Sequence, residues 1–211
     1  KHLKIIKSAY QKDAIPLKGI IKTHESNSPE THILIIGEAT SSNKMSLYGH
    51  YRKTNPLLEK VAKEFSIFTN VQATTPAVTD VNVTRMLTLL EQGHEEPELL
   101  KTSIIRVMNQ AKYKTFWLSN QGAIGHKITI ITAIGMASDV KSFTSSTHRY
   151  NLDERVFPSL DRYLKESQSL KKFIIIHLNG AHNTYSHRYP KEFARFTKFD
   201  DITPMPFHDK K

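Results

Sequence analysis

Two oxygen-bearing side chains stand where chemistry is easily placed. Glu38 closes the run Ile33-Leu-Ile-Ile-Gly-Glu38, and Thr79 opens Thr79-Asp-Val-Asn-Val-Thr-Arg-Met-Leu. A short apolar run reads as a buried strand, covered on both faces. Open α/β sheets bind ligands just beyond the carboxyl ends of such strands. Gly37 permits a sharp turn there, which would leave Glu38 at the rim as a ligand for a hard or borderline metal. The alternative is an acid that caps the following turn. Thr79 follows Pro76 and enters an amphipathic helix. As N-cap, its hydroxyl would accept from first-turn amides. The same place, at the positive end of the helix dipole, suits a nucleophile that takes a transferred phosphoryl group. A threonine hydroxyl needs a base or a metal to become an alkoxide at neutral pH. Capping alone stays open as the alternative.

The histidines divide by position. His177 lies inside an apolar run and reads as structural, whereas His182 follows Gly180, past the strand end, and reads as a site residue. His187 with Arg188 reads either as a surface pair or as a contact to an anionic acceptor. The chain has no cysteine. That excludes disulfides, thiolate zinc sites and cysteine nucleophiles, so a metal would need imidazole, carboxylate or hydroxyl ligands.

The elements that must carry these residues alternate between strand and helix. Ile33–Gly37 is expected as a strand, residues 56–65 as a helix with Pro56 in its first turn, and residues 66–71 as a second strand. A helix over 79–90 would turn Val83, Met86, Leu87 and Leu90 inward. Another over 98–111 would bury Leu99, Ile104, Ile105 and Met108. Residues 114–118 read as a strand with Trp117 in the core, 153–167 as a helix and 172–178 as a central strand. The alternation implies an α/β fold, a mainly parallel sheet flanked by helices. Residues 1–31 read as a polar, basic lead-in arm, and 32–211 as the first part of an α/β domain.

At 211 residues the chain is long enough for one sizeable core. Its net charge of +10 points to anionic partners. The cations are dispersed, with no zinc finger, arginine-rich run or RNA-binding aromatic signature, so nucleic acid is not expected. No apolar run approaches the roughly 18–20 residues that cross a bilayer. The lead-in Lys1-His-Leu-Lys4 has no signal-peptide character.

Five segments occur in a telling order: Ile35-Ile-Gly-Glu-Ala-Thr40, Met45 to Pro56, Tyr113-Lys-Thr-Phe-Trp-Leu-Ser-Asn-Gln121, Ile175-Ile-His-Leu-Asn-Gly-Ala-His182 and Arg188-Tyr-Pro190. Together they resemble the periplasmic catalytic domain of bacterial phosphoethanolamine transferases, in the alkaline phosphatase/sulfatase superfamily. The resemblance implies zinc as cofactor, with Glu38 and Thr79 as metal ligands and Thr79 as nucleophile. Thr74 and Thr75 remain rivals for that role. It implies Asn120, Gln121 and His182 in the substrate pocket. The implied reaction moves phosphoethanolamine from phosphatidylethanolamine to lipopolysaccharide core or lipid A. The implied place is the periplasmic face of the inner membrane, with the membrane surface as a partner. Related phosphodiesterases, phosphoglycerol transferases, or a binding module without its metal are the alternatives. Ser42 stands where the family often has a basic residue. The Asp-His-Gly zinc segment, which the resemblance places well after Arg188-Tyr-Pro190, has no counterpart up to Lys211. The chain by itself is therefore expected to be a truncated domain that holds metal poorly and turns over little.

Overall fold

The computed structural model describes residues 16–71, 78–91, 93–94, 102–122, 129–144, 151–182 and 184–196. Its sheet has strands β1 (Glu30–Ile36), β2 (Lys114–Ser119), β3 (Val140–Phe143) and β4 (Lys171–His177). They lie in the order β1-β4-β2-β3, and every pair is parallel. The helices are α1 (Pro56–Lys60), α2 (Thr79–Leu87), α3 (Ile104–Gln110), α4 (Ile130–Gly135) and α5 (Phe157–Glu166). The expected α/β architecture is present.

Side chains alternate across a strand, so a strand covered on both faces feeds two cores. On one face Ile36, Trp117, Phe173 and Ile175 pack with Val83 and Leu87 of α2, Ile105 of α3 and Ile131 and Ile134 of α4. On the other, Phe116, Leu118, Ile174 and Ile176 meet Val156 and the partly buried Leu160 and Tyr163. Only a glycine lets α4 come this close to the sheet. A Cβ at Gly135 would lie 2.6 Å from the Trp117 ring. The start of the described chain is fastened to α3, where Gln110 Oε1 accepts from the Leu17 amide at 2.8 Å and Nε2 donates to the Ile20 carbonyl at 2.7 Å.

Several expectations need correction. Among the described residues β1 is an edge strand, and only one of its faces is covered. Ile33 and Ile35 pair in register with Ile174 and Ile176, yet are 46% and 62% exposed. The helix that packs on that face, α5, covers β4, β2 and β3 instead. Residues 66–71 form no strand. Among the described residues they have no partner strand, and Phe68 and Val71 are exposed. The helix expected over 56–65 ends at Lys60 and passes into a 3₁₀ turn over Ala62–Glu64. In α2 the buried face is Val83, Thr84 and Leu87, with Met86 turned outward. The helix expected over 98–111 is described from Ile104. Its N-cap is Ser103, whose Oγ accepts from the Arg106 amide, and Leu99 lies outside the described residues. The helix expected from Asp153 begins as a 3₁₀ turn over Asp153–Val156. Helix α4 and strand β3 were not anticipated.

Candidate active site

Because all strands are parallel, their carboxyl ends share one edge, and the residues just beyond them converge. Three backbone bonds carry the pairing past the strands. The Leu178 amide donates to the Ile36 carbonyl at 3.0 Å, Asn120 N to the His177 carbonyl at 2.9 Å, and Ala181 N to the Glu38 carbonyl at 2.9 Å. Glu38 is thereby clamped beside the loop that follows β4. The approach is close enough to need Gly180, whose φ is +49°. A Cβ there would lie 2.4 Å from the Glu38 carbonyl oxygen and 2.8 Å from its amide nitrogen.

Glu38 is buried, 6% exposed, and faces the start of α2. Thr79 Oγ1 donates to Glu38 Oε1 at 2.8 Å, across 41 residues of sequence. This corrects the reading of Thr79 as a cap. The N-cap position belongs to Val78, no side chain caps the helix, and Thr79 is the first helical residue. Its hydroxyl is turned toward a carboxylate at the end of another strand. Thr74 and Thr75 lie outside the described residues.

The remaining candidates separate by depth. Asn120 is fully buried with both amide atoms engaged. Its Nδ2 donates to Asp153 Oδ1 at 2.7 Å and its Oδ1 accepts from Thr144 Oγ1 at 2.6 Å. Gln121 is half-buried, and its Nε2 donates to the Leu178 carbonyl at 3.1 Å and to His177 Nε2 at 3.2 Å. His182 is exposed at the end of the clamping loop, where its carbonyl accepts from Arg188 Nε at 3.1 Å.

One carboxylate was missed. Asp153 accepts from Asn120 Nδ2 through Oδ1, which also takes the Asn179 amide at 2.7 Å, while Oδ2 takes the Gly180 amide at 2.9 Å. It holds the loop that holds Glu38. In the sequence it shows only as an acid at the start of a helical segment, and nothing there points to the β4 loop.

His177 is buried against Trp117, with ring centroids 5.7 Å apart. Burial pushes its pKa below the ordinary 6.5, against an opposing pull from Glu38 and Asp153. The Gln121 bond agrees, since an amide NH₂ can only donate and needs a neutral imidazole nitrogen to accept. The unfolded chain protonates this histidine near its ordinary value, and the folded chain only at lower pH. Folding stability from this group is therefore complete above 6.5 and falls as pH drops below it. Replacing His177 by Gln should flatten that part of the profile. Urea midpoints on either side of that pH would measure it, and equal slopes in the two proteins would sink the idea.

Zinc is the metal that the resemblance implies. Glu38 Oε1 and Thr79 Oγ1 lie 2.8 Å apart, close enough for both to be ligands of one zinc. Catalytic zinc commonly takes three protein ligands. Among the described residues no group of three or more His, Asp or Glu side chains stands together.

Residues 30–205 match the sulfatase family. The chain is 32% identical over 203 residues to a phosphoethanolamine transferase of Salmonella typhimurium, CptA, covering 92% of this chain and 34% of that protein. It is 31% identical over 202 residues to the phosphoethanolamine transferase EptC of Escherichia coli, covering 92% and 34%. The solved C-terminal periplasmic domain of Escherichia coli EptC, in complex with Zn, superposes with a TM-score of 0.75 at 32% identity, over 85% of this chain and 51% of that one. The integral membrane EptA of Neisseria meningitidis shares the fold, with a TM-score of 0.67 at 21% identity, over 87% and 35%. The chain thus spans about a third of the length of these curated relatives.

Proposed function

The chain belongs to the sulfatase family, and from that premise we propose that its protein transfers phosphoethanolamine from phosphatidylethanolamine to lipopolysaccharide core or lipid A through an ester on Thr79. The observation that carries this reading is the 2.8 Å bond between Thr79 Oγ1 and Glu38 Oε1. It places a hydroxyl against a buried carboxylate and at the first turn of a helix, where amides favour a phosphoryl group.

Thr79 Oγ1 attacks the phosphorus in line as the bond to the diacylglycerol oxygen breaks. The threonine proton passes to Glu38 along their hydrogen bond, diacylglycerol takes a proton from water as it leaves, and Glu38 returns its proton to Thr79 Oγ1 in the second step. A hydroxyl or phosphate oxygen of the acceptor then attacks the phosphothreonine and restores the Thr79 hydroxyl. Zinc held by Glu38 and Thr79 would supply positive charge that favours the alkoxide and the phosphoryl oxygens. His182, exposed beside the Glu38 clamp, meets the substrate phosphate. Gln121 and Asn120 act from behind, through the groups that they hold. The relatives' names support the transferred group, and the periplasmic domains among the solved structures support a site at the outer face of the inner membrane. Among the described residues no helix is long and apolar enough to cross a membrane.

The test uses the protein as its gene encodes it, with labelled phosphatidylethanolamine and purified lipopolysaccharide. Label should reach the acceptor, chelation should stop transfer and release zinc, and added zinc should restore both. Transfer that survives complete loss of zinc would refute the metal's role, and label that never leaves the donor would refute the reaction.

A further inference from the structure

Away from the Glu38–Thr79 pair, an apolar cleft of about 710 Å³ opens between α1 and the segment that ends at Phe196. That volume lies within the range of ligand sites. Its apolar lining includes Leu57, Leu58, Phe193 and Phe196, which are 69%, 43%, 57% and 43% exposed. Large apolar side chains grouped on a surface mark a binding site rather than chance.

What could fill it follows from the other lining residues. Thr54 and Asn55 contribute polar atoms, but their oxygens are spent on the neighbouring turn. Thr54 Oγ1 donates to the Lys44 carbonyl at 2.8 Å, and Asn55 Oδ1 accepts from Ser46 Oγ at 2.7 Å and from the Leu47 amide at 3.0 Å. Asn55 Nδ2, buried without a partner among the described residues, is the one side-chain amide donor left in the lining. Its charged members are Lys53, Lys60 and Arg195, with no acid among its described lining residues. Lys53 is engaged by Glu59 at 3.0 Å, which leaves Lys60 and Arg195 as the main cations. Arg52 adds charge at the edge, its guanidinium 5.4 Å from the Phe196 ring centre and 5.3 Å from that of the exposed Tyr51. An apolar floor, cations and exposed aromatics are the chemistry of a membrane interface.

We propose that this cleft docks the protein on an anionic phospholipid surface, with an acyl chain against Leu57, Leu58, Phe193 and Phe196 and the headgroup phosphate against Lys60 and Arg195. This rests on the lipid-linked reaction proposed above, but docking is read without turnover, so the two can fail separately. The cleft would set the distance and tilt at which the carboxyl edge of the sheet meets the bilayer. Tyr189 also lines it. Its neighbour Arg188 holds the His182 carbonyl, so the docking wall and the site loop share one short segment.

The test is flotation of the protein with vesicles of phosphatidylcholine alone or with an equal part of phosphatidylglycerol. The wild type should float with the anionic vesicles. Lys60→Glu with Arg195→Glu should weaken that binding by about thirtyfold or more, since each well-placed cation contributes about a fivefold factor. Leu57→Ser with Phe193→Ser should weaken it by about tenfold, and the loss should persist in high salt. All four side chains are exposed, so both variants should fold, and thermal unfolding checks this. Lys112→Glu with Lys165→Glu, the same charge change on other exposed residues, should have a small effect. An equal effect would show attraction by diffuse charge and overturn the proposal. So would wild-type flotation in the cleft variants, absence of wild-type flotation, or a dimer that the cleft variants dissociate, which would assign the cleft to a second copy.

Discussion

Thr79→Ala is expected to abolish transfer. A nucleophile cannot be replaced by a neighbouring group in the same geometry, so the loss should be about a thousandfold or more in the rate of transfer. The protein should still fold. No cap is lost, because Thr79 does not cap α2. The cost is the bond to Glu38, a hydrogen bond to a buried carboxylate, at about 1–3 kcal/mol. Thr79→Ser keeps the hydroxyl and should keep part of the activity. With phosphatidylethanolamine and no acceptor, the wild type should accumulate phosphoethanolamine on the peptide that contains Thr79. Peptide mass spectrometry reads this directly. Because Thr74 and Thr75 are close in sequence, fragmentation must assign the modified residue. Modification elsewhere, or undiminished transfer by Thr79→Ala, would refute the mechanism.

The second large effect is expected at Asp153, whose carboxylate bonds Asn120, Asn179 and Gly180 rather than Glu38 or Thr79. Removing its carboxylate with Asp153→Ala leaves the backbone amides of Asn179 and Gly180 without their acceptor, while Asn120 Nδ2 keeps only its weaker bond to the Asn151 carbonyl at 3.2 Å. Each unsatisfied buried donor costs about 1–3 kcal/mol. For these two the sum, about 2–6 kcal/mol, is a large part of the roughly 5–15 kcal/mol that holds a typical domain together. Gly180→Ala separates positioning from stability. Its Cβ would press on the backbone of Glu38, so Glu38 must move while the Asp153 bonds can remain. A displacement of about 1 Å at a reacting group can cost about a hundredfold in rate. Gly180→Ala should therefore lose transfer and zinc affinity out of proportion to its loss in urea midpoint. Proportional losses, or an Asp153→Ala protein as stable as wild type, would show that the loop does not hold the site.

What was legible in the sequence had local causes. Phe116-Trp-Leu118 and Phe173-Ile-Ile-Ile176 are continuous apolar runs, and as central strands they are buried on both faces. Glu38 and Thr79 were found because each follows a recognisable break, Gly37 in one case and the onset of helical spacing in the other. What was missed depends on packing between distant segments. Ile33 and Ile35 look like any central-strand residues, and only the landing place of α5 makes them exposed. Ile130-Ile-Thr-Ala-Ile-Gly135 is β-branched and short, yet it is helical. Its start is set by Thr129, whose hydroxyl accepts from the Thr132 amide, and its packing by the contact of Gly135 with Trp117. Asp153 reaches its loop partners across 26 and 27 residues, a span on which periodicity carries no information.

The open side of β1 bears on how the protein behaves in solution. Among the described residues β1 pairs only with β4. Within those residues its other edge is a row of backbone donors and acceptors beside two exposed isoleucines. Such an edge is a template for strand addition, and natural proteins usually blunt it with a charge, a proline or a bulge. The stretch Ile33-Leu-Ile-Ile36 has none of these. Sealed by another strand, it becomes an interior ladder with the isoleucines under cover. Left bare, it recruits β-structure from whatever chain is nearest, and self-association then competes with folding as concentration rises. Whether the protein stays dispersed therefore depends less on the chemistry at the carboxyl ends of its strands than on the company kept by one strand's flank.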